Sequence, residues 1–315
     1  MRTPRSIYAI AILSAWVAGC SNASIPRTAI GPAAVSDARQ HAKAAGTSGY
    51  VYISDVAGNF IDKFDASSGA LVEKITNGMT GPGPLYVDSS GNLWVGLSYG
   101  NGVMMIPEGT SAAPRRLQDG GSPAGIVIGA DGTAYVSNAL NADGSPGSIL
   151  VYPPGRDTPA RTIQDPGFFE NSFITIDDKG DLFVTGNVRH LTQFIGRVDE
   201  YVGARQTGLR RWAVHLYSPG GVKWFNGNVY VCDNGEYTVT EYTESGKATG
   251  RKLVTGGAWD GIDILPDGKT FAGADQTNLQ GISRAFPFGR IVRTYTDPAF
   301  INPVDAAYQT NRKGL

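Results

Sequence analysis

Residues able to perform acid–base or nucleophilic chemistry are sparse in this sequence of 315 residues. It has three histidines, and the strand pattern predicts His190 in a loop and His215 in an outer strand, whereas His41 precedes the first apolar segments of the fold. A serine or cysteine nucleophile needs a histidine that the fold holds beside it. No His-Glu-x-x-His, Cys-x-x-Cys, phosphate-loop or dinucleotide motif occurs. The sequence therefore leaves the catalytic residues unknown, and only His190 is expected on a loop that could face a ligand.

Polar residues in the segments between strands form a second group of candidates. Three such segments are 138–147, 186–195 and 275–280. Their amides lie near aromatic residues in the sequence, and amides beside aromatic rings could bind a carbohydrate or a peptide. In many proteins polar loops have no role beyond keeping the surface soluble. A purely solubilising role for these loops therefore stays open as the alternative to ligand binding. The predicted ligand-binding face consists of Asn138, Asn171, Asn187, His190, Asp233, Asp260 and Asp275.

Some of these candidates have a structural explanation in the sequence itself. Asp55, Asn138 and Asp233 occupy the same place in the repeat, at the end of an apolar strand. Asp and Asn side chains commonly accept hydrogen bonds from the backbone two or three residues further on. We therefore expect these three residues to cap the turns that follow them.

A turn-and-strand phrase that recurs five times identifies the elements that position the candidates. Each copy places Gly in a tight turn before an apolar strand with an aromatic residue, as in the segments 88–95 and 129–136. The turn glycines are 41, 48, 47 and 41 residues apart: Gly91, Gly132, Gly180, Gly227 and Gly268. About four short strands fit each interval, which is typical of a β-propeller blade. The pairs Asp131-Gly132, Asn226-Gly227 and Asp267-Gly268 favour two-residue hairpins with positive φ at both positions.

The two ends of the repeat region supply a sixth blade. Residues 50–54 read as the second strand of a blade that lacks its first strand, and residues 302–308 read as a first strand with nothing after it. Pairing the two would complete a blade and remove the exposed edges of an open ring. The sequence thus predicts an all-β, six-bladed β-propeller over residues 49–315, closed by pairing of the N- and C-terminal strands.

The first residues have the layout of an export signal. Arg2 and Arg5 precede an apolar run, Ser6–Ala18, that is too short to span a bilayer comfortably. The sequence Val17-Ala-Gly-Cys20 resembles a bacterial lipobox, in which the cysteine is acylated and the chain is cut just before it.

This resemblance implies a signal peptide over residues 1–19 and membrane attachment through lipidated Cys20, with the outer membrane of the cell envelope favoured. Ordinary cleavage near Ala23 is the alternative, and it would give a free periplasmic or secreted protein. Residues 20–48 are rich in Ala, Ser, Pro and Thr without an apolar period, which predicts a flexible tether.

Two phrases of the repeat resemble known propeller groups. Tyr52–Phe64 is similar to an NHL-type repeat, and Asp260–Thr270 resembles the corresponding phrase of gluconolactonase-like propellers. The resemblance covers residues 50–308 as a blade pattern, and it implies the fold more strongly than the activity because this fold serves many functions.

The gluconolactonase-like resemblance also implies a metal site. Enzymes of that group hold a divalent metal, usually Ca²⁺, at the channel mouth through a Glu, Asn residues and an Asp placed just before innermost strands, and such oxygen ligands suit a hard cation. Of the matching positions, only Asn171 and Asp260 could ligate here; the positions are Gly83, Ala124, Asn171, Gly220, Asp260 and Val304. The resemblance makes Ca²⁺ the candidate cofactor and Asp260 the one catalytic candidate, while the binding-scaffold hypothesis requires no cofactor.

Composition narrows the function classes. The net charge is −1 and basic pairs are scattered, so the sequence carries no electrostatic footprint for nucleic acid. Our leading hypothesis is a monomeric, exported, lipid-anchored scaffold that binds a protein, peptide or carbohydrate at the cell envelope. The alternative is a metal-dependent lactonase-like hydrolase, in which a cation held by Asn171 and Asp260 polarises a carbonyl and activates water. A structural part of an envelope assembly is a third hypothesis.

Overall fold

The computed structural model describes residues 49–100, 102–109, 113–164, 166–190 and 193–310. These residues form 24 β-strands and two single-turn 3₁₀ helices, η1 (Val202–Ala204) and η2 (Gln206–Gly208). The strands make six four-stranded sheets, which confirms the predicted all-β, six-bladed propeller. Within the described ranges, no helix is long and apolar enough to cross a membrane. The signal segment 1–19, Cys20 and the tether 20–48 with His41 lie outside the described residues.

Five blades are each built from four consecutive strands, and every neighbouring pair within a blade is antiparallel. The second blade contains β4 (Pro82–Val87), β5 (Leu93–Leu97), β6 (Gly102–Ile106) and β7 (Arg115–Gln118). The third contains β8 (Pro123–Ile128), β9 (Ala134–Asn138), β10 (Ser148–Tyr152) and β11 (Arg161–Gln164). The fourth contains β12 (Glu170–Ile176), β13 (Leu182–His190), β14 (Gln193–Tyr201) and β15 (Leu209–Arg211). The fifth contains β16 (Pro219–Phe225), β17 (Asn228–Asp233), β18 (Thr238–Thr243) and β19 (Ala248–Val254). The sixth contains β20 (Trp259–Ile264), β21 (Thr270–Asp275), β22 (Gln280–Ala285) and β23 (Ile291–Tyr295).

The first blade joins the two ends of the ring, as the sequence predicts. Its strand order is β24-β1-β2-β3, and the strands are β1 (Gly49–Asp55), β2 (Phe60–Asp65), β3 (Leu71–Ile75) and β24 (Pro303–Thr310). The Tyr52 hydroxyl donates to Gln309 Oε1 at 2.6 Å, and Gln309 Nε2 donates to the Gly91 carbonyl of the next blade at 2.7 Å. Pairing of β24 with β1 therefore completes the four-stranded blade, and the Gln309 side chain links this blade to the next one.

Apolar side chains fill the spaces between blades. Val51 and Phe64 of the first blade share a cluster with Ala272 and Ala274 of the sixth, and all four are buried. The innermost strands contact one another in sequence around the ring, from β4 through β8, β12, β16 and β20 to β24 and back to β4. Each blade thus buries both faces of its inner strands against its neighbours, which explains their nearly continuous apolar character.

The hairpin turns differ from the prediction at two of three sites. At Asn226-Gly227 both residues have positive φ, +48° and +78°, as a two-residue hairpin requires. At Gly132 and Gly268 only the glycine has positive φ. The reason is the preceding aspartate: Asp131 accepts the Thr133 N–H at 2.9 Å, and Asp267 accepts the Thr270 N–H at 2.8 Å. These side chains hold longer turns than the dipeptides alone indicate.

Two histidines are not where the sequence placed them. Residues 186–195 were predicted to be a loop, but β13 and β14 extend into this segment as a long hairpin, and His190 pairs with Gln193 at its end. Polar Asn187 and Arg189 flank Val188 there, an alternation that suits a strand. His215 does not belong to an outer strand, because β15 ends at Arg211. It is exposed in the connection to β16 and stacks on Tyr217 with ring centres 5.6 Å apart.

Candidate functional site

The predicted site residues lie at one end of the central channel. We call the face of the ring where the innermost strands begin the upper face, and the opposite face the lower face. Asn171 and Asp260 are the second residues of β12 and β20, and Asn138, Asp233 and Asp275 end the paired second strands. Asn187 pairs with Glu170 at the start of β12. The fold therefore brings the predicted ligand-binding residues to the upper face.

Three upper-face aspartates bind their own backbone. Asp233 Oδ1 accepts N–H groups of Gly235 at 3.0 Å and Ser218 at 3.1 Å, and its Oδ2 accepts the Tyr217 N–H at 2.9 Å. Asp55 in the first blade and Asp275 in the sixth cap their turns in the same way. Such charge-assisted bonds use the carboxylate lone pairs that a ligand would otherwise need.

Two upper-face asparagines are engaged by neighbouring carboxylates. Asn138 Nδ2 donates to Asp119 Oδ1 at 3.1 Å, and Asn187 Nδ2 donates to Glu170 Oε2 at 3.2 Å. Burial raises the pKa of both Asp119 and Glu170, because a charged carboxylate is poorly solvated there. The first pair links the end of β9 to the chain that enters its blade, so Asn138 binds Asp119 and does not cap the following turn as predicted. The second pair links Asn187, within β13, to the start of β12.

Asp260 lies within a chain of amides. Its Oδ1 accepts Asn234 Nδ2 at 3.0 Å and its Oδ2 accepts Gln276 Nε2 at 3.4 Å, while Gln276 Nε2 also donates to Asn302 Oδ1 at 3.2 Å. Burial raises the pKa of Asp260 to about 7, although the Asn234 hydrogen bond lowers it. The residue is therefore a carboxyl group that changes charge near neutral pH.

Asn171 has unused hydrogen-bonding capacity at both ends of its amide, whereas of Asn138 only Oδ1 is without a partner among the described residues. Its side chain is 1% exposed, and neither Oδ1 nor Nδ2 has a hydrogen-bond partner among the described residues. Gly220 occupies the ring position between Asn171 and Asp260. A Cβ atom added to Gly220 would lie 2.9 Å from the Asp260 carbonyl oxygen. An unpartnered amide oxygen and a carboxylate fit Ca²⁺ by donor chemistry. The four remaining positions at the start of innermost strands are Gly83, Ala124, Gly220 and Val304, and none of their side chains contains oxygen. Water or backbone carbonyls would therefore have to complete the coordination.

The middle of the channel is narrow. The constriction leaves about 10 Å³, roughly the space of one water molecule. Asp305 of β24 lies at this level, and its carboxylate accepts the N–H groups of Leu85 and Ala306, both at 2.8 Å. Burial raises the pKa of Asp305 to about 8, against the lowering effect of Lys223. The constriction separates the upper mouth from the space below it.

Below the constriction the channel widens into a cavity of about 370 Å³. We call it the lower cavity, and all six innermost strands contribute to its lining: Tyr86 and Val87, Val127, Ile174, Thr175 and Ile176, Lys223 and Trp224, Asp263 and Ile264, and Tyr308. Its volume lies within the range of small-molecule binding sites, roughly 300–1,000 Å³. The lower cavity thus has the size of a small-molecule site.

An ion pair and aromatic rings give the lower cavity its chemistry. Lys223 Nζ lies 3.2 Å from Asp263 Oδ1, and the two side chains are only 19% and 18% exposed. Lys223 Nζ also lies 5.4 Å from the ring centre of Tyr86. Asp263 raises the pKa of Lys223 although burial opposes it, so the ammonium group is charged at neutral pH. The cavity offers one cation, one anion and aromatic surface within a few ångströms.

An acidic group lies near the outer edge of the lower cavity. Carboxylate oxygens of Asp177, Asp178 and Glu244 approach one another within 4.8 Å. Lys179 forms an ion pair with Glu244, and Asp177 Oδ1 accepts the N–H groups of Lys179 and Asp181. Lys179 offsets the charge of Glu244, and Asp177 holds the β12–β13 turn.

The sequence contains one indication of the lower cavity, the charged residues within apolar innermost strands, that the turn-and-strand repeat does not reveal. Lys223, Asp263 and Asp305 are charged residues inside innermost strands whose other residues are mainly apolar or Gly. Charged side chains are rarely buried unless they are paired. Two opposite charges in the same place of neighbouring blades could therefore have indicated an ion pair in the channel.

Comparisons with known proteins match the fold. No family model matches this sequence, and no curated protein matches it. A chain from a nidogen–laminin complex structure aligns over 83% of this chain and 98% of its own length, with a TM-score of 0.67 at 14% identity. A streptogramin B lyase aligns over 83% and 84%, with a TM-score of 0.56 at 16% identity. Virginiamycin B lyase from Staphylococcus aureus aligns over 80% and 82%, with a TM-score of 0.55 at 14% identity. At these identities the likeness shows a six-bladed β-propeller fold and leaves the activity to be argued from the residues.

Proposed function

We propose that this protein is an exported, lipid-anchored binding scaffold that takes a small ligand in the lower cavity. The observation that carries the proposal is the cavity itself, which has ligand size, aromatic walls and a partly buried ion pair at one place. Concave sites with a few convergent polar groups are the usual location of small-molecule binding. The structurally similar chains include lyases and a member of a protein complex, so this fold is compatible with binding roles of either kind.

Trp224 offers a direct test of where the ligand binds. A ligand that binds only the folded state raises the unfolding midpoint by mass action. The full-length chain should be screened by thermal unfolding against a library of sugars, amino acids, peptides and aromatic acids. We expect hits for the native chain that are lost in Trp224→Ala and kept in Tyr217→Ala, since Tyr217 is 70% exposed on the upper face. Hits that survive Trp224→Ala and disappear in Tyr217→Ala would contradict the proposed site.

The export and anchoring part of the proposal rests on residues 1–20. The charged start, the short apolar run and the Val17-Ala-Gly-Cys20 sequence support cleavage before Cys20 and acylation of its thiol. Expression with radiolabelled palmitate should label the membrane fraction, and Cys20→Ser should abolish the label. A labelled Cys20→Ser protein would refute Cys20 as the acylated residue. An unlabelled native protein released in soluble form would refute anchoring and favour cleavage near Ala23.

A metal-dependent lactonase-like hydrolase is the second candidate, and the unpartnered amide of Asn171 favours it. Asn171 and Asp260 would hold the cation, which when bound supplies an electrophile for a lactone carbonyl and activates water. Asp260, with a pKa of about 7, could itself take up a proton at the upper mouth. A midpoint raised by Ca²⁺ or Zn²⁺ in the native chain but not in Asp260→Ala would support this function. The absence of a shift with either metal would exclude it.

A further inference from the structure

The charges of the lower cavity balance each other. Lys223 and Asp263 form one ion pair, and Asp305 lies just above them at the constriction. Both carboxyl oxygens of Asp305 accept backbone N–H groups, from Leu85 and Ala306, and burial raises its pKa to about 8. A ligand with a net charge would break the ion pair or be buried without a counter-ion, and both outcomes are costly. The cavity therefore favours a neutral ligand.

The aromatic walls of the cavity are held by bonds at their polar ends. Trp224 Nε1 donates to Glu244 Oε1 at 2.7 Å, and the Tyr86 hydroxyl donates to the Ile128 carbonyl at 3.4 Å. Tyr308 contributes a third ring from the closing strand β24. The ring carbons of these residues form rigid apolar surfaces, against which the C–H groups of a saturated ring can pack.

The ion pair keeps unused hydrogen-bonding capacity. Asp263 Oδ1 accepts Lys223 Nζ and the Ile264 N–H at 2.9 Å, and its Oδ2 accepts the Tyr308 N–H at 2.7 Å. A carboxylate has about four lone-pair sites and an ammonium group three N–H donors. One acceptor site and two donors are left beside each other. Two neighbouring hydroxyl groups of one ligand, one accepting and one donating, match this arrangement.

We propose that the lower cavity binds a neutral, hydroxyl-rich ring compound, that is, one or two sugar units. A sugar ring packs its C–H face on Trp224 and the tyrosine rings, and a vicinal hydroxyl pair bonds Lys223 and Asp263. The cavity of about 370 Å³ is large enough for such a ligand. This inference rests on the proposed function, since it names the ligand class for the same cavity.

The test uses the full-length chain with three groups of probes. The first contains methyl β-D-glucopyranoside, methyl β-D-galactopyranoside, methyl α-D-mannopyranoside and the corresponding disaccharides. The second contains choline, a cation, and the third contains benzoate, an anion. Saturation-transfer NMR detects binding, and titration calorimetry measures the dissociation constant. We expect a glycoside to bind, with affinity about tenfold weaker in Trp224→Ala and largely kept in Trp224→Phe.

Lys223→Met removes the hydroxyl-binding donor but leaves Asp263 unpaired, so its folding must be checked by circular dichroism. Asp263→Asn keeps the shape and provides the second polar variant, and both should weaken glycoside binding. The outcomes are distinguishable. Trp224-dependent binding of choline or benzoate but of no glycoside would overturn the sugar inference and leave the proposed binding site intact. Binding of no probe at millimolar concentration would overturn both. Glycoside binding unchanged in Trp224→Ala would place the sugar elsewhere and overturn this inference.

Discussion

The capping aspartates at the upper end of the central channel and the Lys223–Asp263 pair at its lower end differ in how much hydrogen-bonding capacity they keep. On the upper face, Asp55, Asp233 and Asp275 each accept several backbone N–H groups. At the lower end, Lys223 and Asp263 bond each other and retain unused donors and acceptors beside a cavity of about 370 Å³. The comparison teaches that Asp and Asn residues at a channel mouth do not by themselves mark a ligand site, because the backbone uses these three carboxylates. Our proposal places the ligand at the other end.

The path of the chain explains the difference. At the upper face the chain crosses from the outermost strand of one blade to the innermost strand of the next, and these irregular segments leave N–H groups without strand partners. Side-chain carboxylates satisfy them, as Asp55 does for Ile301 and Asn302 at 2.6 and 2.9 Å. At the lower face each innermost strand turns back within its own blade, and the aspartates of these turns supply the same support, as Asp88, Asp131 and Asp267 do. Lys223 and Asp263 lie inside the strands, before these turns begin.

The largest expected effect is at the seam that both ends share. Deletion of residues 302–315 removes Asn302 at the top of the channel and β24, which carries Asp305 in the middle and Tyr308 at the bottom. This deletion exposes the edge of β1 that pairs with β24, and it removes the buried side chains of Ala306 and Ala307. We therefore expect the cooperative unfolding transition to be lost. Differential scanning calorimetry of this variant and of a control lacking only residues 311–315 measures it. An unchanged midpoint in the longer deletion would refute closure by β24.

A smaller loss of stability is expected from one upper-face carboxylate. Asp233→Ala removes the acceptor for the N–H groups of Tyr217, Ser218 and Gly235, and we expect about 2–4 kcal/mol less free energy of unfolding. Urea denaturation measures this, with exposed Asp178→Ala as the matched control. Ligand binding by the lower cavity should be unaffected. An unchanged free energy of unfolding in Asp233→Ala together with loss of ligand binding would contradict a structural role for Asp233 and ligand binding in the lower cavity.

The smallest effect is a change in pH dependence at Asp260. Its folded pKa of about 7 is above the unfolded value of 3.8, so its contribution to stability is complete below pH 3.8 and is lost as the pH rises through about 7. Asp260→Asn cannot ionise. We therefore expect the free energy of unfolding of the variant, relative to that of the native chain, to be higher at about pH 8 than at about pH 5. Urea denaturation at the two pH values tests this, with Asp178→Asn as control, and a constant difference between them would contradict the shifted pKa.

The sequence predicted the fold because the fold repeats. Five glycine turns and the two incomplete blades at the ends of the repeat region were sufficient to predict the number of blades and the pairing of β1 with β24. It predicted the 186–195 hairpin as a loop, because its polar residues outweighed the alternation around Val188. The site was harder to predict, since Asp233 as a cap and Asp233 as a ligand residue look the same in sequence. Lys223 and Asp263 lie 40 residues apart, and only the ring brings them within 3.2 Å.

One measurement tests most directly whether ligand binding belongs to the lower end of the channel. Calorimetric titration of the same neutral glycoside into the full-length chain, Trp224→Ala and Asn171→Ala compares the two ends under identical conditions. We predict that Trp224→Ala binds about tenfold more weakly and that Asn171→Ala binds as the native chain does. Full affinity in Trp224→Ala with loss of binding in Asn171→Ala would contradict the account.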